Sequence, residues 1–240
     1  MPKSKRARVV HLSKLQKKGK EHTLKLYAAV QAALTDHRYT YVFAVENMRN
    51  TYLKDIRTHF TETGGRLFFG KSKVMSKALG HTPEDEAFPG SHKLSGYLGG
   101  EVGLLCTEQK PQEVKEFFAE YSQTDFARAG ATATRDFTIP AGQVYSRGGE
   151  IPAEQDEPLP HSMEPMLRKW GMPTRLDKGK VVLDEDYEVC TEGQELNSHQ
   201  TALLKMFGVA LAEFRVVLRA WYDKEEESVE EVAVDGAMEE

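Results

Sequence analysis

The sequence predicts an α/β protein of two units, and three observations predict it. Helical and strand-like periodicities alternate from Leu26 to Tyr121, a stretch rich in Ala, Gly, Thr and Ser from Ala127 to about Gly149 interrupts them, and a shorter alternation runs from Glu164 to Trp221. At 240 residues the chain forms one large domain or two small ones, and either buries enough apolar surface for a stable core.

Residues 1–20 hold eight Lys or Arg and no acid. If this segment continues as a helix, Lys14, Lys17, Lys18 and Lys25 lie near one stripe, while Leu26, Tyr27, Val30, Ala33 and Leu34 recur at helical spacing on another. Residues 39–45 read as a buried strand, rich in aromatic and β-branched side chains. The loop Glu46-Asn47-Met48-Arg49-Asn50 follows, with Asn50 able to cap a helix that turns Leu53, Ile56 and Phe60 inward and leaves Lys54 and Arg57 outside, near Arg49. Gly64-Gly65 ends that helix, residues 66–69 form a short strand, and Ser72 is placed to cap a helix over 73–79 that stops at Gly80. Lys71, Lys73 and Lys77 crowd its start and one side. Residues 102–106 read as a strand, and Pro111 opens a helix with Val114, Phe117, Phe118 and Tyr121 on one face.

Beyond Ala127 the single Arg147-Gly148-Gly149 reads as a turn, not an RNA-binding repeat, and Pro152, Pro158 and Pro160 mark an extended crossing. A helix over 164–170, strands at 174–176 and 181–183, a helix over 198–207 and a strand-like run over 214–221 complete the pattern. Residues 223–240 hold nine acids and one Lys, which reads as a disordered solubilising tail with Ser228 as a candidate phosphorylation site among acids.

Composition narrows the function. No run approaches the ~18 apolar residues of a membrane span, and no signal-peptide stretch follows the basic start, so the chain is expected on the cytosolic and nuclear side. Cys106 and Cys190 stand alone in apolar surroundings, as reduced structural thiols do, and the eight histidines include no pair at ligand spacing; no metal and no cofactor are expected. The net charge of −5 hides a basic arm, a mixed body and an acidic tail. Such an arm binds nucleic acid or serves as a nuclear address.

Gly65-Arg66-Leu67-Phe68-Phe69-Gly70-Lys71-Ser72 fits the phosphate-loop pattern of nucleotide hydrolases letter for letter, with Asp184 after Val181-Val182-Leu183 as its would-be acidic strand. A true phosphate loop follows its strand, whereas here Leu67 to Phe69 are the strand. The same residues suit RNA: Lys71 and Ser72 at a helix start present a cation and free amides to a phosphate, and Arg49 adds a planar fork. His161, Glu164 and Glu192 resemble acid and base, but no nucleophile accompanies them; a capping turn led by Ser162 explains the segment better.

Phe69-Gly70-Lys71-Ser72-Lys73-Val74-Met75, followed by Gly99-Gly100-Glu101-Val102-Gly103-Leu104-Leu105, resembles the stalk-base protein of the large ribosomal subunit. More specifically the chain resembles the mRNA turnover protein 4 family, the assembly-phase paralogue of that protein. The resemblance is carried by Asn47-Met48-Arg49-Asn50 with Lys54-Asp55-Ile56-Arg57, by Ala127-Arg128-Ala129-Gly130, and above all by Pro160-His161-Ser162-Met163-Glu164-Pro165 with Gly171-Met172-Pro173-Thr174; Asp186-Tyr187-Glu188-Val189-Cys190-Thr191-Glu192-Gly193 adds to it. It spans roughly residues 1–222.

The resemblance implies a stalk-base-protein-like α/β domain over 21–127 and 208–222, interrupted by a smaller α/β domain over 128–207, with a basic arm at 1–20 and the tail from 223. It implies a non-enzymatic factor that assembles the large (60S) subunit, holding the rRNA of the GTPase-associated centre until the stalk-base protein replaces it. The expected RNA-binding residues are Lys14, Lys17, Lys18, Arg49, Asn50, Lys54, Arg57, Lys71, Ser72, Lys73 and Lys77. Expected partners are that rRNA, pre-60S particle proteins and a release factor, with no membrane and no acidic stalk dimers. The expected location is the nucleolus and nucleus, extending to the cytoplasm on pre-60S particles. A mature stalk-base protein is the alternative and a phosphate-loop nucleotidase the remote one.

Overall fold

The computed structural model describes residues 20–232. In chain order these form α1 (Lys20–Asp36), β1 (Tyr39–Glu46), α2 (Asn50–Glu62), β2 (Arg66–Phe69), α3 (Ser72–Leu79), α4 (Ser91–Ser95), β3 (Val102–Thr107), α5 (Pro111–Glu120) and β4 (Gln123–Asp125). There follow β5 (Phe137–Ile139), β6 (Gly142–Gln143), a 3-10 turn at His161–Met163, α6 (Glu164–Lys169), β7 (Thr174–Asp177), β8 (Lys180–Leu183), β9 (Tyr187–Cys190), α7 (Ser198–Met206), β10 (Ala212–Asp223) and β11 (Ser228–Glu231). The chain divides into two compact units: the first takes residues up to Ala44, Ile56–Lys115 and from Val217 onward, the second Val45–Asp55 and Glu116–Val216.

The first unit is built on strands in the order β11-β10-β1-β3-β2, with antiparallel ladders at β1–β3, β2–β3 and β10–β11. All six residues of β3 are buried, and Val102 to Cys106 carry no polar side chain where a half-buried strand would alternate. One sheet face carries Val42, Leu104 and Cys106 against Val30 and Leu34 of α1 and Met75 and Leu79 of α3, which is why those helices keep an apolar stripe. The register aligns Phe43, Gly103 and Phe69 across β1, β3 and β2. Gly103 leaves the gap in which the Phe43 and Phe69 rings stack, 6.4 Å apart and 21° from parallel. A Cβ there would sit 2.3 Å from Phe43 Cζ.

The acidic tail expected from residue 223 is corrected for its first part. Residues 220–223 pair with 228–231 in a β10–β11 hairpin, and Val229 packs against the first unit's core. Asp223 is 1% exposed and binds Arg38 through Nη2 at 2.7 Å and Nε at 3.0 Å. Burial pushes the Asp223 carboxyl up, but the bonds from Arg38 and from the Glu225 and Glu226 backbone outweigh it and hold it below the ordinary carboxylate value. The Ser228 hydroxyl is buried and unpaired, so in this fold it is closed to a kinase. Residues 233–240 lie outside the described residues.

The second unit has two small antiparallel sheets, β5–β9 and β6-β8-β7. Phe137, Ile139, Val144, Leu167, Val181, Leu183, Leu203 and Phe207 are among the residues of its core. Asn197 caps α7 by accepting from the His199 and Gln200 amides, while the Gln200 side chain bonds back to the Asn197 amide, a complete capping box. The Arg147-Gly148-Gly149 segment is a turn: Glu150 N–H donates to Arg147 C=O at 3.2 Å, with both glycines at positive φ. The second unit contains the whole of the insert expected over 128–207. Within the second unit the Arg49–Asp125 ion pair, the Tyr52 and Tyr121 rings against Phe214, and Asn47 donating to the Glu213 carbonyl tie residues 45–55 to β4 and the start of β10.

Candidate nucleic-acid interface

The expected site residues are divided between the units. Lys14, Lys17 and Lys18 lie outside the described residues. Arg57, Lys71, Ser72, Lys73 and Lys77 belong to the first unit, and Arg49, Asn50 and Lys54 to the second.

In the first unit, helical periodicity sets each cation. Ile56 and Phe60 are fully buried, so Arg57 is turned outward. Met75, Ala78 and Leu79 are buried on α3, leaving Lys73 and Lys77, one turn apart, exposed on the other side. The N-cap of α3 is Lys71, extended at φ −69° and ψ 106°, with no side-chain cap bond. Ser72 is therefore the first helical residue, which corrects the expected serine cap. The Ser72 and Lys73 amides precede the first helical bonds, which Val74 and Met75 N–H make to the Lys71 carbonyl at 2.9 and 3.2 Å, and Lys71 stands beside them.

Arg57 and Lys71 line one cleft of about 430 Å³ together with His22, Thr23 and Leu26 of α1, Leu67, Phe68, Phe69 and Gly70, and Val74. Among the described residues β2 is an edge strand of the sheet, so the groups on its outer side face away from the ladder. Sequence reasoning misses the α1 and aromatic lining. Its signal is the Phe68-Phe69 pair directly before Gly70-Lys71, which strand propensity alone assigns to the core.

Arg49 is engaged within its own unit. Its Nε contacts Asp125 at 2.7 Å and its Nη2 donates to the Phe126 carbonyl, so the guanidinium clamps the segment after β4. Asn50 is exposed as the first residue of α2, where Leu53 N–H donates to Arg49 C=O at 3.1 Å, and Lys54 is exposed on the same helix. Arg49 also borders a groove of about 370 Å³ whose lining includes Arg128, Thr201 and Lys205.

Local geometry speaks against nucleotide chemistry at Gly65 to Ser72. Residues 66–69 are extended and laddered to 106–103 of β3, so they cannot wrap a phosphate. Asp184 is engaged with Arg175 Nε at 2.8 Å within the second unit. Glu164 is buried and bonded by Arg168 and by the Thr174 hydroxyl at 3.5 Å, a structural arrangement. The turn before α6 is capped at Met163 without a side-chain bond, so Ser162 does not cap it. Burial pushes the Cys106 thiol up to about 12 and raises Cys190, leaving both unreactive. Among the described residues no group of three or more His, Cys, Asp or Glu is placed to hold a metal, and no helix is long and apolar enough to cross a membrane.

Residues 18–123 match the family model for ribosomal protein L10, and residues 127–209 match the model for the insertion domain found in the 60S ribosomal protein of that family. A ribosome assembly factor mrt4 of Neurospora crassa is 48% identical over 242 residues, covering 98% of this chain and 95% of the relative. That of Schizosaccharomyces pombe is 52% identical over 230 residues, covering 96% and 95%. A large ribosomal subunit protein uL10 of Pyrococcus furiosus is 26% identical over 179 residues, covering 75% of this chain and 49% of the relative.

Proposed function

Because the chain belongs to the mrt4 family of ribosome assembly factors, a branch of the ribosomal L10 proteins, we propose that it assembles the large subunit by holding the rRNA of the GTPase-associated centre until the stalk-base protein takes that place. The observation that carries the RNA contact is the convergence of Arg57 and Lys71 on one cleft, with Lys73 and Lys77 exposed along the adjoining helix. Cations at a helix start position phosphates and do not read bases, so specificity rests on the folded shape of the junction. This role is non-enzymatic. It belongs to pre-60S particles in the nucleolus and nucleus, with pre-60S proteins and a release factor as partners.

Crosslinking the protein to RNA in cells and sequencing the RNA tests the assignment. Crosslinks concentrated in the stalk-base junction of large-subunit rRNA are expected, and crosslinks confined to messenger RNA or to another rRNA region would overturn it. Mixing the junction RNA with this protein and the stalk-base protein, then separating by size, should yield particles holding one or the other. A single particle with both would defeat the placeholder role.

A further inference from the structure

The cleft around β2 has features that phosphate binding alone does not use. Its walls are apolar, with Leu26, Phe68 and Val74 on one side and Leu67 and Phe69 on the other, while Arg57 and Lys71 supply the charge. Phe69 is half-buried and continues a stack begun by the fully buried Phe43. A planar group entering from solvent would extend that stack. Gly70 keeps the opening bare: a Cβ there would touch Leu26 Cδ2 at 3.4 Å and narrow it.

We infer that this cleft takes one unpaired RNA base, stacked on the Phe69 side and hydrogen-bonded by the free edge of β2, with its flanking phosphates on Lys71 and Arg57. Unstacked bases in loops and bulges are what proteins read in folded RNA, because aromatic faces and cations match a base and its phosphate. A phosphate alone would leave the aromatic wall unused. A peptide strand added to β2 would find only four residues to pair with, and charge complementarity with Arg57 and Lys71 favours the nucleotide. The inference rests on the RNA-binding reading above and names which feature of the junction it grips.

The test uses the full chain and three RNA hairpins, one with a bulged 2-aminopurine, one with an abasic bulge at that place and one fully paired. The bulged base should bind about tenfold more tightly than the abasic site, within the range of base–aromatic stacking, and its fluorescence should be quenched on binding. Phe69→Leu should abolish both differences and leave abasic binding unchanged. Melting curves, together with the unchanged abasic binding, check that the variant folds. Equal affinity for all three hairpins, with normal salt dependence, would overturn the base site and leave the RNA surface standing. Absence of salt-sensitive binding to any hairpin and to the junction RNA would overturn the RNA reading and the base site with it. Displacement of bound bulge RNA by an extended acidic peptide, with equal affinity for abasic and intact bulges, would assign the cleft to a protein strand.

Discussion

Replacing Gly103 by Ala tests the architecture behind the cleft. The added methyl would lie 2.3 Å from Phe43 Cζ, 2.9 Å from Phe43 Cε1 and 2.6 Å from the Phe68 carbonyl oxygen. The ring is fully buried and the oxygen belongs to the neighbouring strand, so neither contact is relieved by swinging a flexible side chain. Overpacking of this kind costs about 1–3 kcal/mol, offset by up to about 1 kcal/mol because alanine has less freedom to lose than glycine. A net loss of about 1–2 kcal/mol should lower the Tm by roughly 2–8 °C for a chain of this size. Because β2 must move to relieve the Phe68 contact, affinity for the bulged hairpin should fall as well. Urea and thermal unfolding followed by circular dichroism measure the first effect. Phe43→Leu supplies the second axis of a cycle: it removes the Cζ contact, so the double variant should recover at least ~0.5 kcal/mol relative to the sum of the single losses. An alanine variant that melts with the parent, or losses that simply add, would refute the reasoning.

Asp223→Asn should destabilise the first unit by about 2 kcal/mol, less than a fully buried pair would lose because Arg38 stays partly in water. The Asp223 carboxyl is held below its unfolded value, so its contribution is complete above the unfolded pKa of ~3.9 and disappears as pH falls through the folded one; acid titration should show the parent losing stability there and the Asn variant less so. Truncation after Asp223 removes β11, the Lys224 ammonium 4.2 Å over the Phe88 ring and the Val232 N–H to Arg219 C=O bond, and should lower the Tm by on the order of 5 °C. A truncated protein that melts like the full chain would make the hairpin irrelevant to stability. Lys71→Ala and Lys73→Ala should each flatten the log-log salt slope of RNA binding by about 0.7–0.9 without changing the Tm. Arg49→Ala should instead lower the Tm and leave that slope intact, since its fork is held by Asp125 and Phe126; a flattened slope at an unchanged Tm would return Arg49 to the RNA surface.

Local periodicity and residue chemistry carry part of this protein without help from the fold. Ile56 and Phe60 declare the inner face of α2 and therefore the outward face of Arg57. The run at 102–106 declares a strand, Pro111 opens α5, and the outward Lys73 and Lys77 follow from Met75 and Leu79. The family is legible in the quoted segments because those residues stand in the chain itself. Which groups meet across long separations is settled only when the chain has folded. Acidic composition at 223–231 masks a strand, since Asp223 needs Arg38 and Val229 needs the core built by α1 and α3. Arg49 reads as a free fork until Asp125 stands beside it. The cleft exists because β2 lies at the sheet edge and α1 packs near it, and strand order is set by non-local pairing energy that no local window contains. Charges and faces are properties of the segment; partners and cavities are properties of the fold.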